Sequence, residues 1–360
     1  MTEESFGDVA RSVAPVSDGA ARQARERHDR LTKPQGSLGR LEDLGIQLSA
    51  IARTCPPPIP ASVTIAVFAG DHGVVAAGVT PWPSEVTAQM VANFCAGGAA
   101  VNVLARHIGA SVVVVDVGVS SEIPGESPSL VRRNVARGTA NLATGPAMTR
   151  GQALEALEVG VEIAIDAIAN GAQLLVTGDM GIGNTTPSAA LIAHFTDSSP
   201  RTVTGRGTGI DDEMLETKIS VIESALGRLA SDATPLNVLS EVGGLEIAAM
   251  AGFIVAGAAQ GVPVVIDGVI ATAAALAAAA FAPSVTQYLI AGHRSSEPGA
   301  SAGLAHLGLA PVLDLSLRLG EGSGAALAVP IVQAAAKILR EMATFDSAGV
   351  TERDEDTRAP

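Results

Sequence analysis

The sequence predicts an α/β fold, a doubly wound and mostly parallel sheet, and three observations carry that prediction. Short apolar runs recur along the middle of the chain, each followed by Gly, Asp or His. Runs without alternation mark parallel strands buried on both faces. Stretches with helical periodicity lie between them, and strand–helix alternation is the pattern of a sheet covered on both sides. The composition agrees: 47% of the 360 residues are hydrophobic, only 2% are aromatic, and 39 are glycine. A core so poor in large rings must close by near approach of backbones and small side chains.

The elements follow in order. Residues 1–54 read as helical and charged, with a turn at Thr32–Ser37 and then Leu38, Leu41, Leu44 and Leu48 at helical spacing. Pro56–Pro60 is a stiff linker and a natural boundary. Val63–Phe68 reads as the first strand and leads into Asp71-His72-Gly73. Ser84–His107 reads as one helix, and Ser111–Val115 as a strand that ends at Asp116. A helix over Gln152–Asn170 opens with Thr149 and Gln152 three residues apart, a capping-box pattern. Leu174–Val176 leads into Gly178-Asp179, and Val264–Ile266 into Asp267-Gly268, with helices over Leu245–Gly257 and Val269–Phe281. Tyr288–Ile290 leads into Gly292-His293. The twenty uncharged residues Ile247–Ile266 are long enough to span a membrane, but Gly261-Val262-Pro263 splits them into helix, turn and strand. The polar tail Thr344–Pro360 has no apolar period and is expected to be disordered.

Charge and motifs narrow the function. A formal net charge of −14 argues against nucleic acid and against an anionic membrane surface. The N-terminal Glu3, Glu4 and Asp8 do not suit a signal peptide, so a cytoplasmic protein with two free thiols, Cys55 and Cys95, is expected. The six histidines show no metal-ligand spacing, and neither a metal nor an organic cofactor is expected. Asp71, His72, Asp116, Asp179, Asp267 and His293 all fall at carboxyl ends of predicted strands, the edge where open α/β sheets bind ligands.

Three glycine-rich segments stand out. Gly178–Pro187 runs from a strand into a helix; its amides suit a phosphate, and equally a tight turn without ligand. Gly205-Arg206-Gly207-Thr208-Gly209, with Lys218 beyond, is either a phosphate contact or an exposed loop. In Arg318-Leu319-Gly320-Glu321-Gly322-Ser323-Gly324 the carboxylate is sterically open on both sides, able to take a proton from a ring nitrogen or to cap the following helix.

Taken together, LTKPQGSLGRLEDL (31–44), FAGDHGV (68–74), VVDVGV (114–119), GTANLATGPAMTR (138–150), GDMGIGNTTPSAA (178–190), VGGLEIAAMAG (242–252), PVVIDG (263–268) and RLGEGSGAALAVPIVQAA (318–335) resemble the nicotinate-nucleotide–dimethylbenzimidazole phosphoribosyltransferases of cobalamin lower-ligand synthesis. The resemblance spans nearly the whole chain. It implies a Rossmann-like large domain, a smaller helical domain built from both chain ends, and a homodimer in which the neighbour's small domain helps close each active site. The implied boundaries are 1–58 and 316–343 for the two helical parts, 60–315 for the large domain and 344–360 for the tail. It implies nicotinate mononucleotide and 5,6-dimethylbenzimidazole as substrates, without nucleic acid or membrane as partner. Glu321 matches the family's general base, with Gly320 beside it. Asp179, Met180 and Gly181 match its nucleotide loop, where this chain has Asp in place of the Glu of some members, and Lys218 with Gly207 matches its phosphate contact. The base pocket draws on the stretch matching residues 81–90, which departs from the family pattern. Gln89 and Trp82 are its candidates, Trp82 either stacking on the base or anchoring a surface. A different lower-ligand base, or a non-catalytic nucleotide-binding module, are the competing expectations.

Overall fold

In the computed structural model, which describes residues 3–351, six strands form one parallel sheet. They are β1 (Val63–Gly70), β2 (Ser111–Gly118), β3 (Leu130–Arg132), β4 (Leu174–Met180), β5 (Val264–Ile266) and β6 (Leu289–Ala291). Their order is β3-β2-β1-β4-β5-β6. β1 is buried along its whole length and pairs with β2 on one side (Thr64 opposite Ser111) and β4 on the other (Thr64 opposite Leu175). The order of strands reverses between β1 and β4, so the crevice for a ligand opens at their carboxyl ends.

All five expected strands are present, and β1, β2 and β4 run on into the Gly and Asp residues that follow their apolar runs. β3 was not expected. It is a half-exposed edge strand of three residues and carries no apolar run. The helix opened by Thr149 spans Arg150–Ala169, and Thr149 and Gln152 exchange both bonds of a capping box. The uncharged run 247–266 resolves into the helix Leu245–Ala259, a turn with Gly261 at φ +71°, and β5. The expected single helix over Ser84–His107 is instead two, Glu85–Ala96 and Ala100–Ile108. Gly97, at φ +79°, ends the first in a left-handed cap.

The near approach of backbones foreseen from composition is concrete between the helices Arg150–Ala169 and Leu245–Ala259. A Cβ on Gly160 would lie 1.7 Å from the Ala249 carbonyl oxygen, and one on Gly252 would lie 1.9 Å from that of Leu157. Phe68 and Phe253 supply one of the few ring contacts, edge to face at 5.4 Å.

The chain divides into two units. The larger takes the residues up to Pro15 together with Ser62–Val329; the smaller takes Val16–Ala61 and the residues from Pro330 on. The boundaries differ from those expected. The N-terminal helix Glu3–Arg11 joins the larger unit, where Phe6 packs edge-on against Phe281 at 5.1 Å and the Tyr288 hydroxyl donates to the Ala14 carbonyl at 2.7 Å. Residues 316–329 also belong there. In the smaller unit, Lys33 and Glu42 form a buried ion pair at 2.8 Å, and the Arg27 guanidinium donates to the Leu339 carbonyl. Part of the tail expected to be disordered is folded. Thr344 caps a short helix, Phe345–Ala348, and bridges to Leu31. Residues 352–360 of that tail lie outside the described residues.

Candidate active site

At the carboxyl end of β4 the sequence turns through glycines because other elements leave no room. A Cβ on Gly178 would lie 2.5 Å from the Glu321 carbonyl oxygen, and one on Gly181 would lie 2.3 Å from that of Gly70. The Glu321 turn therefore rests directly on β4, beside the strand-order reversal. A cleft opens there, lined among others by Asp179, Gly181, Asn184, Gly207, Lys218, His293, Glu297, Arg318 and Gly320.

One wall is acidic. Asp179 is buried at the end of β4; Asn184 Nδ2 donates to its Oδ2 at 3.0 Å, while Oδ1 has no hydrogen-bond partner in the protein. Burial, joined by the negative charges of Asp267, Glu246 and Glu321, pushes the Asp179 carboxyl well above the usual carboxylate range. Glu246, at the start of the helix Leu245–Ala259, is fully buried and meets His72 Nε2 at 2.8 Å. Asp71 and Asp116 instead tie loops. Asp71 accepts from the Ser120 amide and hydroxyl, and Asp116 from the Val119 amide and Asn134.

Another part of the lining is cationic. Lys218 is 1% exposed, and its Nζ donates to Thr185 Oγ1 at 2.7 Å and to the Gly205 carbonyl at 3.1 Å. Burial lowers its pKa to about 8 against the opposing charge of Glu297. The Gly207 amide donates to Glu297 Oε1 at 2.9 Å, and Arg318 donates to the Gly207 carbonyl at 2.8 Å. Arg206 folds back on its own loop, to the Ile210 carbonyl and Asp212.

Glu321 stands on a left-handed turn. Its φ of +66° lies between Gly320 at +83° and Gly322 at +89°. The Gly320 position cannot take a side chain cheaply, because a Cβ would lie 3.1 Å from Asp179 Oδ2. Glu321 is nearly buried, and its Oε2 accepts from the Val101 amide at 3.4 Å, in the first turn of the helix Ala100–Ile108. Burial raises its pKa, the Val101 amide opposes that, and the charge of Asp267 adds to it. Asp267, just beyond β5, accepts from the Ala325 amide at 2.8 Å and the Gly322 amide at 3.3 Å; His293 Nε2 is 3.4 Å from its Oδ1. Burial alone would lower the His293 pKa, but Asp267 turns the balance and raises it.

Of the candidates, Asp179, Gly181, Gly207, Lys218 and Gly320 line this one cleft. Glu321 adjoins it through its neighbour Gly320, and half-buried Met180 follows Asp179. Trp82 is 48% exposed and Gln89 is exposed; neither lines the cleft, which Val79 and Thr80 reach instead. Sequence reasoning passed over Glu246, Glu297 and the Val101 amide. Glu246 sits inside an apolar helix after Gly243-Gly244, and Glu297 precedes Pro298 at a helix start, where a carboxylate reads as an ordinary terminus.

Comparison with known proteins places this geometry. A family model described as phosphoribosyltransferase matches residues 13–350. A nicotinate-nucleotide–dimethylbenzimidazole phosphoribosyltransferase of Salinispora tropica is 55% identical over 356 residues, covering 95% of this chain and 98% of the relative. One of the same description from Chloroflexus aurantiacus is 54% identical over 342 residues, covering 95% and 97%. A crystal structure of the enzyme so described from Thermus thermophilus superposes with a TM-score of 0.89 at 48% identity, covering 94% of this chain and all of that one. The chain belongs to the nicotinate-nucleotide–dimethylbenzimidazole phosphoribosyltransferase family.

Proposed function

We propose that this chain transfers the phosphoribosyl group of nicotinate mononucleotide to 5,6-dimethylbenzimidazole, forming α-ribazole 5′-phosphate and nicotinate, with Glu321 as the general base. The observation that carries the reading is the placement of Glu321: a nearly buried carboxylate with raised proton affinity, on a turn seated over β4 beside a cleft that Lys218 also lines. Nicotinate is quaternised at its glycosidic nitrogen and leaves as a neutral ring. One benzimidazole nitrogen attacks C1′ from the opposite face, inverting β to α, while the other gives its proton to Glu321. Lys218 and the Gly207 loop suit the phosphate, which would compete with Glu297 for the Gly207 amide. Asp179, Met180, Gly181 and Gly320 are assigned to the nucleotide, and holding C1′ in line is their contribution. Trp82 and Gln89 remain the candidates for the base by resemblance. A homodimer, by resemblance, and a cytoplasmic location, by the N-terminal charges and free thiols, complete the proposal; sedimentation and cell fractionation test the two.

The deciding experiment incubates purified protein with nicotinate mononucleotide and 5,6-dimethylbenzimidazole and follows products by chromatography with mass detection. Equimolar ribazole phosphate and nicotinate are expected. Product with another base alone would move the specificity, and no product with any base would replace the enzyme by a nucleotide-binding module.

A further inference from the structure

We propose that Asp267 is the positioning residue of the Glu321 turn, clamping the backbone on its C-terminal side and setting a fixed negative charge beside the base. The proposal rests on the reading of Glu321 as base and deepens it. A non-glycine residue at positive φ persists only where its surroundings over-determine it, and Glu321 has φ +66°. The restraint is visible. Asp267 Oδ2 accepts from the amide of Gly322, immediately after Glu321, at 3.3 Å, and Oδ1 from that of Ala325 at 2.8 Å. These amides lie at the opening of the helix Ser323–Glu341, where N–H groups have no partner within a helix. The cap thus comes from the residue that follows β5, not from the turn's own side chains: the Ser323 hydroxyl donates back to the Gly320 carbonyl. Asp267 is itself fixed, since its amide donates to Thr177 Oγ1 on β4 at 3.2 Å.

A neutral cap would suffice for the helix. A carboxylate also disfavours a second negative charge nearby, and so adds to the burial that already makes Glu321 a better proton acceptor. The groups that face this cluster are Asp179 at the end of β4, Glu246 with its partner His72, and His293 after β6. Among the described residues, no Lys or Arg forms an ion pair with Asp179, Asp267 or Glu321.

The test compares Asp267→Asn and Asp267→Glu with the parent enzyme. Asp267→Asn is nearly isosteric but can accept through only one atom and carries no charge. It should lower kcat about a hundredfold with the nucleotide KM little changed. The acidic limb of the pH–kcat profile should move to lower pH, and the Gly322 and Ala325 amides should exchange faster with solvent. Asp267→Glu keeps the charge but misplaces the oxygens. Its kcat should fall with the acidic limb unmoved; if circular dichroism shows that Asp267→Asn is not folded, Asp267→Ser, neutral and still an acceptor, takes its place in the test. Parent-like kcat in either variant overturns the proposal. So does a loss of kcat in folded Asp267→Asn without movement of the limb, since a purely structural cap would do that. Unchanged amide exchange in Asp267→Asn overturns the clamp without reference to activity. Absence of product from the parent enzyme would instead defeat the functional reading.

Discussion

Two side chains carry most of the proposed chemistry at the scale of single residues. Glu321→Gln keeps size and hydrogen bonding but cannot take a proton, so turnover should fall by about two to four orders of magnitude with an unchanged circular dichroism spectrum. Turnover near the parent's would remove Glu321 as base. Lys218 is charged below its pKa of about 8 and neutral above it. If Lys218 holds the phosphate as proposed, that hold weakens as pH rises through this value, and kcat/KM for the nucleotide should decline on that limb. Lys218→Ala should remove the limb and cost about 1.5–3 kcal/mol, roughly ten- to a hundredfold in nucleotide KM. If the alkaline limb survives in Lys218→Ala, it belongs to another group.

Among elements, the contact between the helices Arg150–Ala169 and Leu245–Ala259 is the most exacting. Gly252→Ala places a methyl 1.9 Å from the Leu157 carbonyl oxygen, on a rigid backbone that cannot step aside. A loss of about 1–3 kcal/mol in unfolding free energy is expected by denaturant titration. An unchanged midpoint would mean the helices can separate freely. This contact was legible as a principle, in a chain with many glycines and few rings, but not as a position. The strands were legible because burial on both faces leaves an uninterrupted apolar run. β3 was not, since an edge strand of three half-exposed residues needs none. The break at Gly97 was not legible either, because Glu85–Ile108 is apolar on average and long enough by composition to cross a membrane. That break has a consequence at the candidate site, where it creates the helix start whose Val101 amide meets Glu321. Asp179 and Asp267 were readable as strand-end carboxylates. Glu246 and Glu297 were not, since only the tertiary fold sets a helix-borne carboxylate behind Asp179 and brings Glu297 to the cleft lining.

For the molecule as a whole, gathering carboxylates at one sheet edge trades stability for chemistry. Asp179 has its pKa raised on folding, so the folded state keeps a proton that the unfolded state has released. Its contribution to stability is present below the ordinary carboxylate pKa and is lost as pH rises through the raised one. Asp179→Asn removes that loss and can still accept from Asn184. It should raise Tm at neutral pH by a few degrees and flatten the dependence of Tm on pH. A lower Tm at every pH would show that the charge is instead compensated. Following such changes needs no label. The chain has one tryptophan, Trp82, half exposed and two residues beyond Thr80 on the cleft lining, and one tyrosine, Tyr288, buried in the larger unit. Its ultraviolet emission is therefore a two-point optical record, in which indole fluorescence reports from beside the cleft and phenol fluorescence from the interior.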